Sequence, residues 1–533
     1  MSTLDFDVAI IGAGIAGIYA VHHFRDTLGL SVRAFEEAPD VGGVWYSNRY
    51  PGARVDLEAR DYSYHFSPEL RQEWQWSQLF PSQPEILSYL NHVADRFDVR
   101  HSITFDTRVE ELTWDANRAG WRVGTSDGGT HTARFVVTAT GNLSAPKPVD
   151  IPGVADFAGR MLATYAWPHT DVDFTNQRVG VIGTGTSGAQ VIPRLAEKAG
   201  HLTVFQRTPA YAIPILNRPT TWAERQETPE DFAFIQELTA ASPGGEAYEP
   251  PLPSALEVEP EVRREIYDRL YAGGGFRLLG SFDDLLTDPA ANETLAQYIR
   301  DRIGERVHNA ETALRLTPID YPCGARRVVM EDGYYEAFNR DDVTLIDLRA
   351  TPIRTVVPEG VRTEDGQLHP LDTLVLATGF DACTGSLTRM RITGRNGSTL
   401  AGKWSTGAAA FLGVASHGFP NLFMVGGPLT PDAYANNFVT SEKHVEFIGA
   451  TLQHVLQQGH TTIEAELEAE QTWSSKVDAI AAQTLVPRTN SWLNGANVPG
   501  KPRTVLAWLA GVPAYRRAVA EVVRDSYRGF QLT

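Results

Sequence analysis

The chain has 533 residues, 42% apolar and 21% charged, an ordinary globular composition with room for two or three domains. Its formal net charge of −18 argues against nucleic acid as a partner, because phosphates call for basic patches. Two cysteines, Cys323 and Cys383, cannot build a disulfide framework or a typical zinc site, so no metal is expected.

The start, Met1-Ser2-Thr3-Leu4-Asp5, lacks a basic n-region, so no signal peptide is expected. No apolar run reaches the roughly 18 residues that a membrane helix needs, so the expectation is a cytoplasmic enzyme with no membrane partner.

Residues 4–40 read as strand, glycine turn, helix (Ile15 to Leu28) and second strand. A helix is predicted over 83–98, starting at Ser82 or Gln83 with Pro84 in its first turn. Residues 101–141 alternate, with a turn at Asp127-Gly128-Gly129, and predict a β-meander closing on Phe135–Gly141. Pro146, Pro148 and Pro152 mark a connection. A second strand–turn–helix–strand unit runs over 178–210. Residues 215–315 are acidic, rich in helix formers and read as a helical insertion. Strands return over 343–379 and end on Leu374–Gly379, which resembles 135–141. A long helix is predicted from Ser441 to Gln457.

The fold class expected is therefore α/β, with two Rossmann-like dinucleotide-binding domains and a helical insertion. The first domain would take 1–145 and 380–533, with a mobile loop near 487–503. The second would take 146–214 and 326–379, and the insertion 215–325.

Two glycine motifs carry the chemistry. Gly12-Ala13-Gly14-Ile15-Ala16-Gly17 is answered 171 residues later by Gly183-Thr184-Gly185-Thr186-Ser187-Gly188. The first glycine permits a tight turn, the second lets the backbone approach a pyrophosphate, and the third lets helix pack on strand. The helix N-terminus adds positive potential for the phosphates. In both copies the residue 19 positions past the last glycine ends the next strand, and there they differ: Glu36 in the first, Arg207 in the second. An acid hydrogen-bonds an adenosine ribose hydroxyl, whereas an arginine suits a 2′-phosphate, helped here by Thr208. FAD is expected at the first site and NADPH at the second. Without a C-x-x-C pair, disulfide reductase chemistry is disfavoured, which leaves flavin–oxygen chemistry or a plain NADPH oxidase.

Nearly the whole chain resembles the type I Baeyer–Villiger monooxygenases, the group of the phenylacetone and cyclohexanone enzymes. Matching segments include Val41–Tyr46, Asn48–Asp56, Arg178–Gly185, Phe205–Pro209, Tyr334–Arg340, Ala377–Asp381 and Gly495–Lys501. The family fingerprint F-x-G-x-x-x-H-x-x-x-W-P reads Phe157 to Pro168 here, with Ala163 in place of the histidine. His169 lies beyond Trp167-Pro168 and is not expected to replace it. The resemblance implies that Arg327 is the catalytic arginine, positioned by Asp56, and that Arg326 stands where lysine usually sits beside the 2′-phosphate. It also implies cofactor contacts at Val44, Trp45, Arg54, Tyr62, Val109 and Gln190, and a Trp492 that closes over the nicotinamide. Tyr434 and Phe438 are the expected substrate-pocket residues.

The activity implied is NADPH- and O2-dependent insertion of oxygen beside a ketone carbonyl, through a C4a-peroxyflavin, giving an ester or lactone. The partners would be a small-molecule ketone and O2; the sequence leaves the oligomeric state open, with a monomer plausible. The alternatives are oxygenation of sulfur or nitrogen, an uncoupled NADPH oxidase, and a flavoprotein that only binds and senses.

Overall fold

The computed structural model describes residues 4–226, 228–431 and 434–533. Two sheets organise the chain, and they repeat one another. In the first, parallel strands run in the order Ile103–Thr104, Val32–Phe35, Phe6–Ile11, Thr130–Thr138 and Leu422–Met424. In the second the order is Val343–Asp347, His201–Gln206, Arg178–Ile182, Thr373–Leu376 and Arg160–Ala163, again all parallel. The central strands of both are wholly or almost wholly buried, as parallel sheets covered on both faces require.

The predicted meander is formed by Val109–Asp115, Gly120–Thr125 and Thr130–Thr138, whose last strand turns from antiparallel pairing into the parallel sheet. Ile103–Thr104 lies outside it, paired with Val32–Phe35. Its counterpart in the second unit is the three-stranded sheet Ile353–Val357, Gly360–Thr363 and Leu368–Pro370.

The helix Gln83–Arg96 begins after Ser82, as expected. The helix from Ile15 is α-helical only to His22; His23–Thr27 is wound as a π-turn. There His23 lies so close to Gly449 that a methyl group on that glycine would meet its Nε2 at 2.6 Å. The long C-terminal helix starts at Asn437, four residues earlier than Ser441, because the Asn436 side chain caps it at Phe438 N.

The insertion carries the helices Trp222–Arg225, Pro229–Ala241, Pro260–Gly273, Pro289–Arg306 and Ala310–Leu316. The chain leaves and re-enters it through parallel strands Ala212–Pro214 and Val329–Glu331. Among the described residues no helix is long and apolar enough to cross a membrane, and no group of acids, histidines and cysteines could hold a metal.

Candidate active site between two nucleotide sites

Both glycine turns are built the same way. Gly12 has φ +105° and Gly183 φ +109°, a region that only glycine enters freely. Each turn is pressed against a strand end, Ala139 for the first and Ala377 for the second. These are the alanines of the two Ala-Thr-Gly closures, so the internal repeat extends to contacts. Gly14 faces Gly43, the residue before the short helix Val44–Ser47, while Gly185 has nothing within 4 Å of a would-be Cβ. A backbone with open space before a helix N-terminus is what a pyrophosphate needs. Ile15 and Ala16 in the first unit, and Thr186 and Ser187 in the second, form the first turns of those helices. Gly17 and Gly188 each lie directly on the carbonyl of the first glycine of their motif, where no side chain fits.

Glu36 is buried, and its carboxylate accepts from Ala13 N at 2.7 Å and Ala38 N at 2.9 Å. Burial raises its pKa, partly offset by those N–H groups. It therefore sits at the glycine turn, where an adenosine ribose would meet it. Val109 opens a strand near it but turns its side chain into the core with Phe35, so only its main chain can face a ligand.

At the second site Arg207 is exposed at the end of its strand. Arg326 stacks on Tyr321 with 4.7 Å to the ring centre and donates to Thr489 Oγ1 at 3.2 Å. Burial lowers its pKa and the charge of Arg207 lowers it further. Lys147, which the sequence reading missed, behaves alike: burial first, then Arg207, pull its pKa down. None of the three makes an ion pair among the described residues. Three mutually repelling cations fit a phosphate dianion that would relieve them. Only the folded connection brings Lys147 there, through its N–H on Gly379 O. Thr184 Oγ1 donates to Thr208 O at 3.3 Å and ties the turn to the strand end.

Arg327 joins the insertion's return to the first unit through Asp56. Its Nη2 and Nε donate to Asp56 Oδ2 at 2.9 and 3.2 Å, and its guanidinium lies 4.8 Å from the Phe276 ring centre. Burial alone would depress its pKa, but Asp56 first, then Glu246 and Tyr434, together outweigh burial and the net shift is upward. The cation is thus fixed in place and permanent.

Trp45 and Tyr62 come together, with Trp45 Nε1 donating to Tyr62 Oη at 2.9 Å. Tyr62 rests edge-on against Phe438, ring centres 4.8 Å apart. Phe438 is 0% exposed, so the expectation that it lines a pocket is corrected: it is core, supporting Tyr62 from behind. Gln190 lies at a junction of the two units. Its amide nitrogen donates to Arg54 O at 3.0 Å and its amide oxygen accepts from Tyr50 Oη at 2.8 Å. Both ends of the side chain are used to join the two nucleotide units. Arg54 itself donates to Phe80 O at 3.4 Å.

Tyr434 donates to Gly324 O at 2.9 Å, beside the Arg326-Arg327 loop, and packs with Trp492. The segment around Trp492, expected as mobile, is latched in this conformation. Asn497 donates to Phe380 O at 2.8 Å, and Lys501 pairs with Asp381 at 2.7 Å.

The fingerprint segment is the edge strand Arg160–Ala163, with Ala163 in register with Leu376. Ala163 is partly buried against the same small core of Phe157, Ile182, Phe205 and Leu376 on which Val149 and Ile151 of the connection also pack. The turn after it, Thr164–Ala166, abuts the helix Val44–Ser47 of the first unit. His169 is exposed, its ring 4.9 Å from Tyr46.

Residues 9–222 match a family model described as pyridine nucleotide-disulphide oxidoreductase. The acetone monooxygenase (methyl acetate-forming) of Gordonia sp. (strain TY-5) is 40% identical over 536 residues, covering 100% of both chains. A Baeyer–Villiger monooxygenase of Pseudooceanicola batsensis is 40% identical, covering 98% of this chain and 95% of its own. The crystal structure of cyclohexanone monooxygenase from Rhodococcus sp. Phi1 bound to NADP+ has a TM-score of 0.96 at 42% identity, with 99% of each chain covered.

Proposed function

The chain belongs to the Baeyer–Villiger monooxygenases, and we propose that Arg327, held by Asp56, is the group on which its oxygenation step turns. The enzyme uses FAD and NADPH to oxidise a small-molecule ketone with O2 to an ester or lactone. FAD, reduced by NADPH, supplies the activation of oxygen. The observation that carries the assignment of Arg327 is the hydrogen bond from its Nη2 to Asp56 Oδ2 at 2.9 Å, which fixes a buried guanidinium.

The protein's own part is positioning and charge. Glu36 would hold the FAD ribose, the backbone after Gly12 and Gly183 would cradle the pyrophosphates, and Arg207, Thr208, Arg326 and Lys147 would hold the NADPH 2′-phosphate. Arg327 presents a fixed guanidinium to the negative charge that develops on oxygen as the ketone carbonyl becomes tetrahedral. A preorganised cation in a site shielded from water stabilises such charge without reorganising. Asp56 keeps the guanidinium aimed. Tyr434, whose hydroxyl donates to Gly324 O, would border the reaction space beside Arg327.

The test is product analysis with a simple ketone and a thioether, measuring hydrogen peroxide in parallel. Ester from the ketone, little sulfoxide and little peroxide is the expected result. Sulfoxide alone, or peroxide alone, would overturn the reading.

A further inference from the structure

Beneath Arg327 lies a polar cluster that the reaction just described does not use. The segment Glu58–Tyr62 of the first unit meets the loop 242–248 of the insertion there. Glu58 is buried and has two cations, Arg277, to which it is hydrogen-bonded, and Arg60 at 3.2 Å. Asp56 has Arg327. Two acids remain. Asp61 is 0% exposed and Glu246 is 9% exposed, and neither has a cation within ion-pair distance among the described residues. Asp61 Oδ1 accepts from Ala247 N at 3.2 Å, and Oδ2 makes no hydrogen bond. The Glu246 side chain meets only the Ser242 hydroxyl, at a long 3.4 Å. Asn436 clamps the two segments, donating to Asp61 O and, at 3.4 Å, to Gly245 O.

Two unpaired carboxylates cannot both stay ionised in such a place. Burying each charge without a partner is costly, and Glu246 stands in the field of Asp61 as well. We propose that Asp61 and Glu246 form a proton-holding pair, neutral in the working enzyme, whose neutrality reserves the charge of Arg327 for the reacting oxygen. They are positioning residues, acting through Arg327 rather than on substrate, and the proposal rests on the assignment of Arg327 above.

The titration supports this. Burial pushes Asp61 up to about 7 and Glu246 up to about 8, and the charge of Asp61 adds to the rise of Glu246. Arg60 and Arg71 pull Asp61 down while Glu58 pushes it up. Arg327 is the cation that acts on Glu246, and the buried Tyr248 phenol feels all three acids. Both acids are therefore held protonated toward neutral pH, Glu246 partly by Asp61. Above that range a second anion competes for Arg327.

The experiment uses FAD-loaded enzyme and the Asp61→Asn, Glu246→Gln and double variants. Melting temperature is followed from about pH 5 to about pH 9.5. An acid whose folded pKa is raised supports the fold at low pH and loses that support as pH climbs through the folded value. The double variant should therefore gain on the wild type progressively up to about pH 8 and then level off. A difference that does not change with pH overturns the proposal. In parallel, ester formed per NADPH should fall above about pH 8 in the wild type, with a neutral fraction about tenfold lower one pH unit past the midpoint. The double variant should stay level, with anaerobic flavin reduction by NADPH unchanged. An unmoved coupling profile beside a pH-dependent melting difference overturns the link to Arg327. No ester from either protein at any pH would instead overturn the functional reading, while the melting arm still reads the proton. Should the variants not fold, infrared difference spectra of the wild type between about pH 6 and about pH 9.5 take their place. Absence of a vanishing carboxylic-acid carbonyl band overturns the proposal.

Discussion

Arg327 spends two of its N–H donors on a single oxygen of Asp56, Oδ2, at 2.9 and 3.2 Å across 271 residues of sequence. A guanidinium anchored through one edge keeps its remaining donors in a fixed direction. That arrangement separates the two halves of the reaction and can be tested in halves.

Arg327→Ala should leave reduction of flavin by NADPH within a few-fold of the wild type and abolish ester formation. Hydride transfer depends on how the two nucleotides are held, whereas oxygenation depends on the cation. Stopped-flow reduction together with product analysis checks both. Ester at wild-type yield would remove Arg327 from the mechanism.

Arg207→Ala should raise KM for NADPH about ten- to a hundredfold and leave KM for NADH nearly unchanged, since only NADPH carries the extra phosphate. Lys147→Ala should act in the same direction and more weakly. An equal loss with both coenzymes would show that these cations hold something other than the 2′-phosphate.

Glu36→Ala should weaken FAD retention and lower stability together. The ribose loses its acceptor, and the buried Ala13 N–H loses its 2.7 Å partner, an unsatisfied donor that costs about 1–3 kcal/mol. Flavin content after gel filtration and melting temperature with and without added FAD check the two effects. Full FAD retention would count against the first nucleotide site.

Ala163→His restores the fingerprint histidine at the end of an edge strand, next to the turn that touches the helix Val44–Ser47. Hydrogen peroxide released per NADPH should fall, with FAD binding unchanged, if a histidine there braces one unit against the other. The competing outcome is overpacking against the small core that Ala163 borders, which costs about 1–3 kcal/mol. A variant that melts lower with no gain in coupling would establish that neighbours have repacked around the alanine.

Much of this protein is written locally. The two glycine turns, Glu36 against Arg207, the helix at Gln83 and the acidic insertion follow from short-range spacing, because turn geometry, capping and helical periodicity act over a few residues. The resemblance then supplied Arg327 and Asp56, which no local rule would pair. What only the tertiary structure decided is what meets across hundreds of residues. Phe438 became core because Tyr62 and Tyr64 close over it. Gln190 became a strut because segment 50–54 docks on its helix. Lys147 joined Arg207, and Asp61 and Glu246 were buried without an ion-pair partner among the described residues, through contacts the chain makes only once folded. Charge and burial at those positions are properties of the assembled interior, where low polarity amplifies every unpaired group, and no window of sequence contains that interior.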